Sequence, residues 1–316
     1  MKLHRLCRPL ALAVACLLPL AAAADESQDK LATCTAQTMD ADRRIAACEW
    51  LLRKKSVPPS NLPNIYFSLA GGYDERGQYD RAIKIYSWLL ERLPEQEQGS
   101  AMVRARRADS YRRQGNYDRA IADFDWLLQR NPKDQWARNG RATAYTRKGQ
   151  PDRAIADYET LMQQQRDAGQ AVDDALYINR AYAYLKKRDL DRALADFDRA
   201  IAIQASPRNY TQRANFHYRE GQYAEAATDA EQALALDPLN AGAVDTLAHL
   251  MVVRGQPERA LLLFERAMLL GGPGTIAQYQ AALKGHGYDV GTGKHYGRGT
   301  IQALAACLRA GCRLVE

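Results

Sequence analysis

Cysteines offer the first chemistry in this chain. Cys34 lies near Cys48 and Cys307 near Cys312, and neither pair has the Cys-x-x-Cys spacing or the neighbouring histidine pair of a zinc site. Two local pairs suit disulfides in an oxidising compartment, so Cys34–Cys48 and Cys307–Cys312 are the expected bridges. In the second pair, Gly311 reads as the left-handed residue that closes a helix. That geometry folds the following residue back onto the one four places before the glycine, which sets Cys312 on Cys307.

Other reactive groups fall short of a site. Gly293-Lys294 invites comparison with a phosphate loop, but Tyr288 stands where the first glycine is needed and His295 where a Ser or Thr is needed. His217 and His249 fall at or beside helix core positions, and His286 and His295 flank a glycine-rich turn with no third ligand in view. No catalytic residue, cofactor or metal is expected.

The chain start bears on the compartment. Lys2, Arg5 and Arg8 precede an apolar stretch from Leu10 to Leu20 and the small residues Ala22-Ala23-Ala24, the order of an export signal cleaved after Ala24. Cleavage discards Cys7 and Cys16, leaving the even set of four. The expected location is therefore exported and periplasmic. Of 316 residues, 47% are hydrophobic and 26% charged, too apolar for disorder. Without the three leading cations the net charge falls from +7 to +4, which does not argue for nucleic acid. No apolar run reaches the roughly 20 residues of a spanning helix, so no transmembrane segment is expected in the mature chain.

Beyond about residue 60 one string keeps returning. Gln78-Tyr-Asp-Arg-Ala-Ile-Lys-Ile-Tyr-Ser-Trp-Leu-Leu90 reappears as Asn116-Tyr-Asp-Arg-Ala-Ile-Ala-Asp-Phe-Asp-Trp-Leu-Leu128, and again from Pro151, Leu190, Tyr223 and Pro257. Its anchor alanines are Ala82, Ala120, Ala154, Ala193, Ala226 and Ala260, about 34 residues apart. Twelve places before each anchor comes a small residue: Ala70, Ala108, Ala142, Ala181, Ala214 or Ala248. Three places further on stands a larger one, and then a glycine, replaced once by Arg188. This pattern predicts two helices of about three turns joined by a tight turn, with the small residues letting them approach. No strand pattern occurs.

In these small, aromatic, Gly, Ala and Pro signals the chain resembles the tetratricopeptide repeat family, in six copies over residues 63–274. The resemblance implies an all-α, right-handed superhelical solenoid whose first helices line a concave face that holds a peptide or protein partner, and it implies no catalysis. Residues 25–62 read as a degenerate, disulfide-pinned cap repeat, because Asp42-Arg-Arg-Ile-Ala-Ala-Cys-Glu-Trp-Leu-Leu52 aligns with residues 118–128. An insertion between Gln163 and Asp173 lengthens a helix or bulges a loop.

Two repeat positions change together. Arg107, Arg141, Arg180 and Arg213 occur with Asp123, Asp157, Asp196 and Asp229, whereas the outer units carry Leu69 with Ile85 and Leu247 with Leu263. A buried charge needs its partner near, so an Arg–Asp contact inside each of these four hairpins is expected, with an apolar contact replacing it in the outer units. The residues left for the groove are Arg112, Arg113, Trp136, Asn139, Arg147, Lys186, Asn215, Tyr218 and Arg219. Such a basic and aromatic face favours an envelope protein or an acidic peptide.

After the break at Gly271-Gly-Pro-Gly274 the tail, residues 275–316, runs Tyr279-Gln-Ala-Ala-Leu283, Gly287-Tyr288, Tyr296-Gly297, Thr300 and Ala303-Leu304. This string resembles the second half of the small helical peptidoglycan-binding domain family, with Lys294-His295 in place of its Asp-Gly. The resemblance implies peptidoglycan as a ligand, with Tyr288, Lys294 and Tyr296 as glycan contacts. A helical cap on the solenoid is the equal alternative. Three functions follow in order: an envelope adaptor, a glycan-binding protein whose repeats position the tail, and remotely a cell-wall hydrolase subunit.

Overall fold

The computed structural model describes residues 26–36, 38–54, 57–94, 98–291, 297–312 and 314, all helix or connection with no strand among them. The expected signal segment, with Lys294 and Tyr296, lies outside the described residues. Helices run in chain order: α1 (residues 26–35), α2 (Ala41–Lys54), α3 (Leu62–Glu75), α4 (Tyr79–Leu90), α5 (Gln98–Gln114), α6 (Tyr117–Arg130), α7 (Gln135–Lys148), α8 (Pro151–Asp167), α9 (Asp174–Lys187), α10 (Leu190–Ile203), α11 (Pro207–Arg219), α12 (Tyr223–Leu236), α13 (Ala241–Val253), α14 (Pro257–Gly285) and α15 (Arg298–Arg309). They fall into two compact units that divide between Asp157 and Tyr158. The extra residues after Gln163 do both things expected of them. They lengthen α8 to 17 residues and add a loop, where Gly169 has φ 70°.

Small residues let the hairpins close. The six anchor alanines and the six alanines twelve places before them are all at 0% exposure. At Gly140 even a Cβ would overlap the ring of Phe124, itself fully buried. Helix starts are fixed by caps: Asp134, Ser206 and Asn240 accept from the backbone N–H three residues on, at 3.0, 3.2 and 2.9 Å.

Hairpin turns reuse one device. The residue after the left-handed position donates its N–H to the carbonyl of the large first-helix residue, as in Asn116 N to Tyr111 O at 2.8 Å and Asp189 N to Tyr184 O at 3.0 Å. Arg188 holds the left-handed place just after α9 at φ 62°, the sole non-glycine with positive φ among the described residues. A side chain there costs about 1 kcal/mol. Arg188→Gly should therefore raise stability by about that amount in urea denaturation, and a loss of stability would show that the Arg188 side chain makes a compensating contact.

In the N-terminal unit the cap is part of the main core. Cys34, Ala47, Cys48 and Leu51 bury with Ile65, Leu69, Tyr73, Tyr86 and Leu89 of the first regular repeat. In the C-terminal unit the tail likewise shares its core with the sixth repeat: Ala260, Phe264 and Met268 bury together with Ile276, Tyr279, Leu283, Leu304, Cys307 and Leu308. α14 is long and apolar enough to cross a membrane by composition. It is broken at Gly272 (φ 68°, ψ −160°), before Pro273, and buries Phe264, Met268, Ile276, Tyr279 and Leu283 in protein.

The cysteines stand in bridging geometry, with Cα separations of 4.9 Å for Cys34–Cys48 and 5.2 Å for Cys307–Cys312. Gly311 has φ 75°, and Cys312 N donates to Cys307 O at 3.0 Å, the helix-ending fold-back that brings the second pair together. Peptide mapping of protein from an oxidising compartment should recover both linked pairs. Free thiols at all four positions would contradict both the bridges and the export reading.

Candidate functional site

Charged groups inside the hairpins are spoken for. Arg107, Arg141, Arg180 and Arg213 each grip one carboxylate with two nitrogens: Asp123 at 2.8 and 2.8 Å, Asp157 at 2.8 and 2.6 Å, Asp196 at 2.8 and 2.7 Å, and Asp229 at 2.8 and 2.7 Å. The hydrogen bond to Asp157 raises the Arg141 guanidinium above its ordinary pKa, while burial opposes it. The third guanidinium nitrogen reaches the second helix of the preceding repeat, at Ser87 (3.0 Å), Asp125 (2.6 Å) and Asp198 (2.6 Å) for Arg107, Arg141 and Arg213. Each of these arginines therefore ties three helices. Arg104 and Arg138 add further donors to Asp123 and Asp157 at 3.1 and 3.3 Å.

The sequence could have shown the third partner. Ser87, Asp125, Glu159 and Asp198 all lie five places after an anchor alanine. Their role depends on how repeats stack, which a hairpin-level reading leaves out.

Helices α1 to α5 of the N-terminal unit border a cleft of about 280 Å³, lined by Thr35, Arg44, Phe67, Ser68, Gly71, Asp74, Glu75, Tyr86, Arg106, Asp109 and Arg113. Its acids are already engaged. Asp74 accepts from Ser110 Oγ at 2.6 Å and Tyr86 OH at 3.0 Å, and burial raises its pKa against those hydrogen bonds. Asp109 is held by Arg112 and by Arg113, the latter at 2.7 Å, and Glu75 pairs with Arg44 at 2.5 Å. Donors remain. Arg106 is exposed and makes no side-chain hydrogen bond or ion pair among the described residues, and Arg44 Nε is buried with no acceptor. Arg44 stands where later repeats carry the anchor alanine, and Gly72 leaves room for its neighbour Ile45, whose Cγ1 a Cβ there would overlap.

The nine groove residues do not share one environment. In the N-terminal unit Arg113 lines the cleft, Arg112 is bound to Asp109, and Trp136, half exposed, packs edge-on against Phe124 with centroids 5.6 Å apart. Asn139 is partly buried with Oδ1 unpaired, and Arg147 is exposed. In the C-terminal unit Lys186 and Arg219 are exposed at helix ends, Asn215 accepts from Thr246 Oγ1 at 2.8 Å, and Tyr218 packs at a tilt against Tyr223 and His249.

His217 and His249 are buried. His217 Nδ1 meets Gln222 Oε1 at 2.6 Å, and burial pushes the His249 ring down to about 4. Beside His249, burial raises the Asp245 carboxyl to about 7, and Tyr279 donates its hydroxyl to that carboxylate. Tyr288 is half-buried against the tail core. No cluster of three His, Cys, Asp or Glu among the described residues is placed to hold a metal.

Models of the tetratricopeptide repeat match residues 105–171, 175–207 and 207–240. A tetratricopeptide repeat protein from Parabacteroides merdae superposes with a TM-score of 0.66 at 17% identity, covering 90% of this chain and 99% of that one. A thermophilic repeat protein of Thermus thermophilus gives 0.46 at 18% identity over 57% of this chain and 94% of its own. MamA from Desulfovibrio magneticus RS-1 gives 0.46 at 15% identity over 56% of this chain and 96% of its own. No curated protein matches the chain. The chain carries tetratricopeptide repeats and has their all-α fold, an architecture consistent with a protein–protein interaction scaffold.

Proposed function

We propose that the mature chain is an exported, periplasmic adaptor that holds a segment of an envelope protein in the cleft of its N-terminal unit. The observation that carries this reading is the imbalance inside the cleft. Glu75 and Asp109 are paired with arginines and Asp74 is occupied by two hydroxyl donors, while Arg106 and Arg44 Nε keep donors without acceptors. A buried donor without a partner costs about 1–3 kcal/mol, which an acceptor on the ligand recovers. An acidic or carbonyl-rich segment fits, with Phe67 offering it an apolar contact. The test is a pull-down from envelope extract with the mature chain and with Arg106→Glu/Arg113→Glu. The reading expects one retained protein to be lost with the variant, and equal retention by both would refute it.

A second reading, contact with peptidoglycan through Tyr288, Lys294 and Tyr296, rests on the tail string. The fused core of tail and sixth repeat favours a capping role instead. Co-sedimentation with purified sacculi should therefore be weak and equal with and without Tyr288→Ala. Strong sedimentation lost on that change would restore the glycan reading.

A further inference from the structure

The outer face of the N-terminal cap carries a second surface, separate from the cleft. α1 contributes Lys30 and Thr33, and α2 contributes Arg43, Ala46, Ala47, Trp50 and Arg53, to a shallow depression of about 390 Å³. The α2 residues recur at the three- and four-residue spacing of one helix face. Lys54 adds a fourth cation, its Nζ 5.9 Å from the centre of the Trp50 ring.

No acid lines this depression. On α2, Glu49 accepts from Tyr73 OH at 2.5 Å on the α3 side and approaches Arg53 to 3.9 Å; on α1, Glu26 and Asp29 are exposed outside the lining. Asp42 is taken by Arg76 at 2.9 Å. Lys30 and Arg43 form no ion pair among the described residues. The Cys34–Cys48 pair joins α1 to α2 and holds the two halves of the face in register.

We infer that this face docks on the phosphate headgroups of an anionic membrane surface, with Trp50 seated at headgroup depth. Three features fit a membrane better than an isolated anion: the depression is open, its cations are spread over two helices, and its aromatic ring is half-buried. Indole rings prefer the interface between water and hydrocarbon. Each cation held near an anionic surface is worth about 1 kcal/mol, a factor of about five in binding. The three cations of the lining, Lys30, Arg43 and Arg53, therefore amount to about a hundredfold, screened as salt rises.

The experiment is flotation of the mature, oxidised chain with phosphatidylcholine vesicles, with and without about one-third phosphatidylglycerol, at low and high salt. Binding is expected only to the anionic vesicles at low salt, with a blue shift of emission that Trp50→Phe removes. Lys30→Glu/Arg43→Glu/Arg53→Glu should lower binding at least tenfold. Lys84→Glu/Lys133→Glu/Arg199→Glu makes the same net-charge change elsewhere and should largely retain it. Circular dichroism of both triple variants guards against misfolding. Equal binding to neutral vesicles, or equal losses in the two triple variants, would overturn the proposal. So would full competition by millimolar inorganic phosphate, which would reassign the face to a small anion.

Discussion

Asp157→Ala should lower the stability of the N-terminal unit by about 3 kcal/mol. The change strips Arg141 of a two-nitrogen grip at 2.6 and 2.8 Å and takes the one carboxylate that Arg138 reaches among the described residues, in a site where the Asp157 side chain is 7% exposed. Breaking a buried pair from one side costs about 3–5 kcal/mol, because the remaining charge stays desolvated. The lower end applies here, since Arg141 keeps Asp125. All four tryptophans, Trp50, Trp88, Trp126 and Trp136, lie in this unit, so urea denaturation followed by tryptophan emission reads it directly. Arg141→Leu/Asp157→Leu copies the apolar pair of the last repeat and should recover most of the loss. No recovery would show that the ion pair contributes more than mutual neutralisation.

Phe264→Ala should be costlier, by about 4 kcal/mol in the C-terminal unit. Its ring is fully buried, meets His249 and Tyr279 edge-on with centroids 4.8 and 5.4 Å away, and joins the sixth repeat to the tail. Emptying such a site typically costs about 3–5 kcal/mol, combining lost transfer energy with the cavity left behind. Hydrogen exchange should rise together in α13, α14 and α15. If exchange rose in α15 alone, the tail would be an independent module rather than a cap.

Repeat register, hairpin turns and the Arg–Asp grip were legible because each is a local rule repeated several times. A rule that recurs in register needs no alignment of relatives: four arginines and four aspartates change together, and Arg188 is visible as the one departure from glycine. Contacts between repeats were not legible in the same way. Asp125 and Asp198 are acidic at a repeat position that could equally face water, and only stacking shows that they meet Arg141 and Arg213.

The cleft was missed for a related reason. The alignment of residues 42–52 with 118–128 already put Arg44 in an alanine position, but a buried arginine there makes sense only once Glu75 is seen paired with it. The nine groove residues share a helix face in the sequence, and a face does not reveal which side chains are already engaged. Asn215 and Arg112 lie on that stripe and bond to Thr246 and Asp109.

Site-specific photo-crosslinking in envelope extract tests the adaptor reading most directly. A benzophenone side chain at Ser68, inside the cleft, is compared with one at Lys84, exposed on α4. The account predicts a discrete adduct from position 68 that Arg106→Glu abolishes, and none from position 84. An adduct from position 84 with none from position 68 would contradict it.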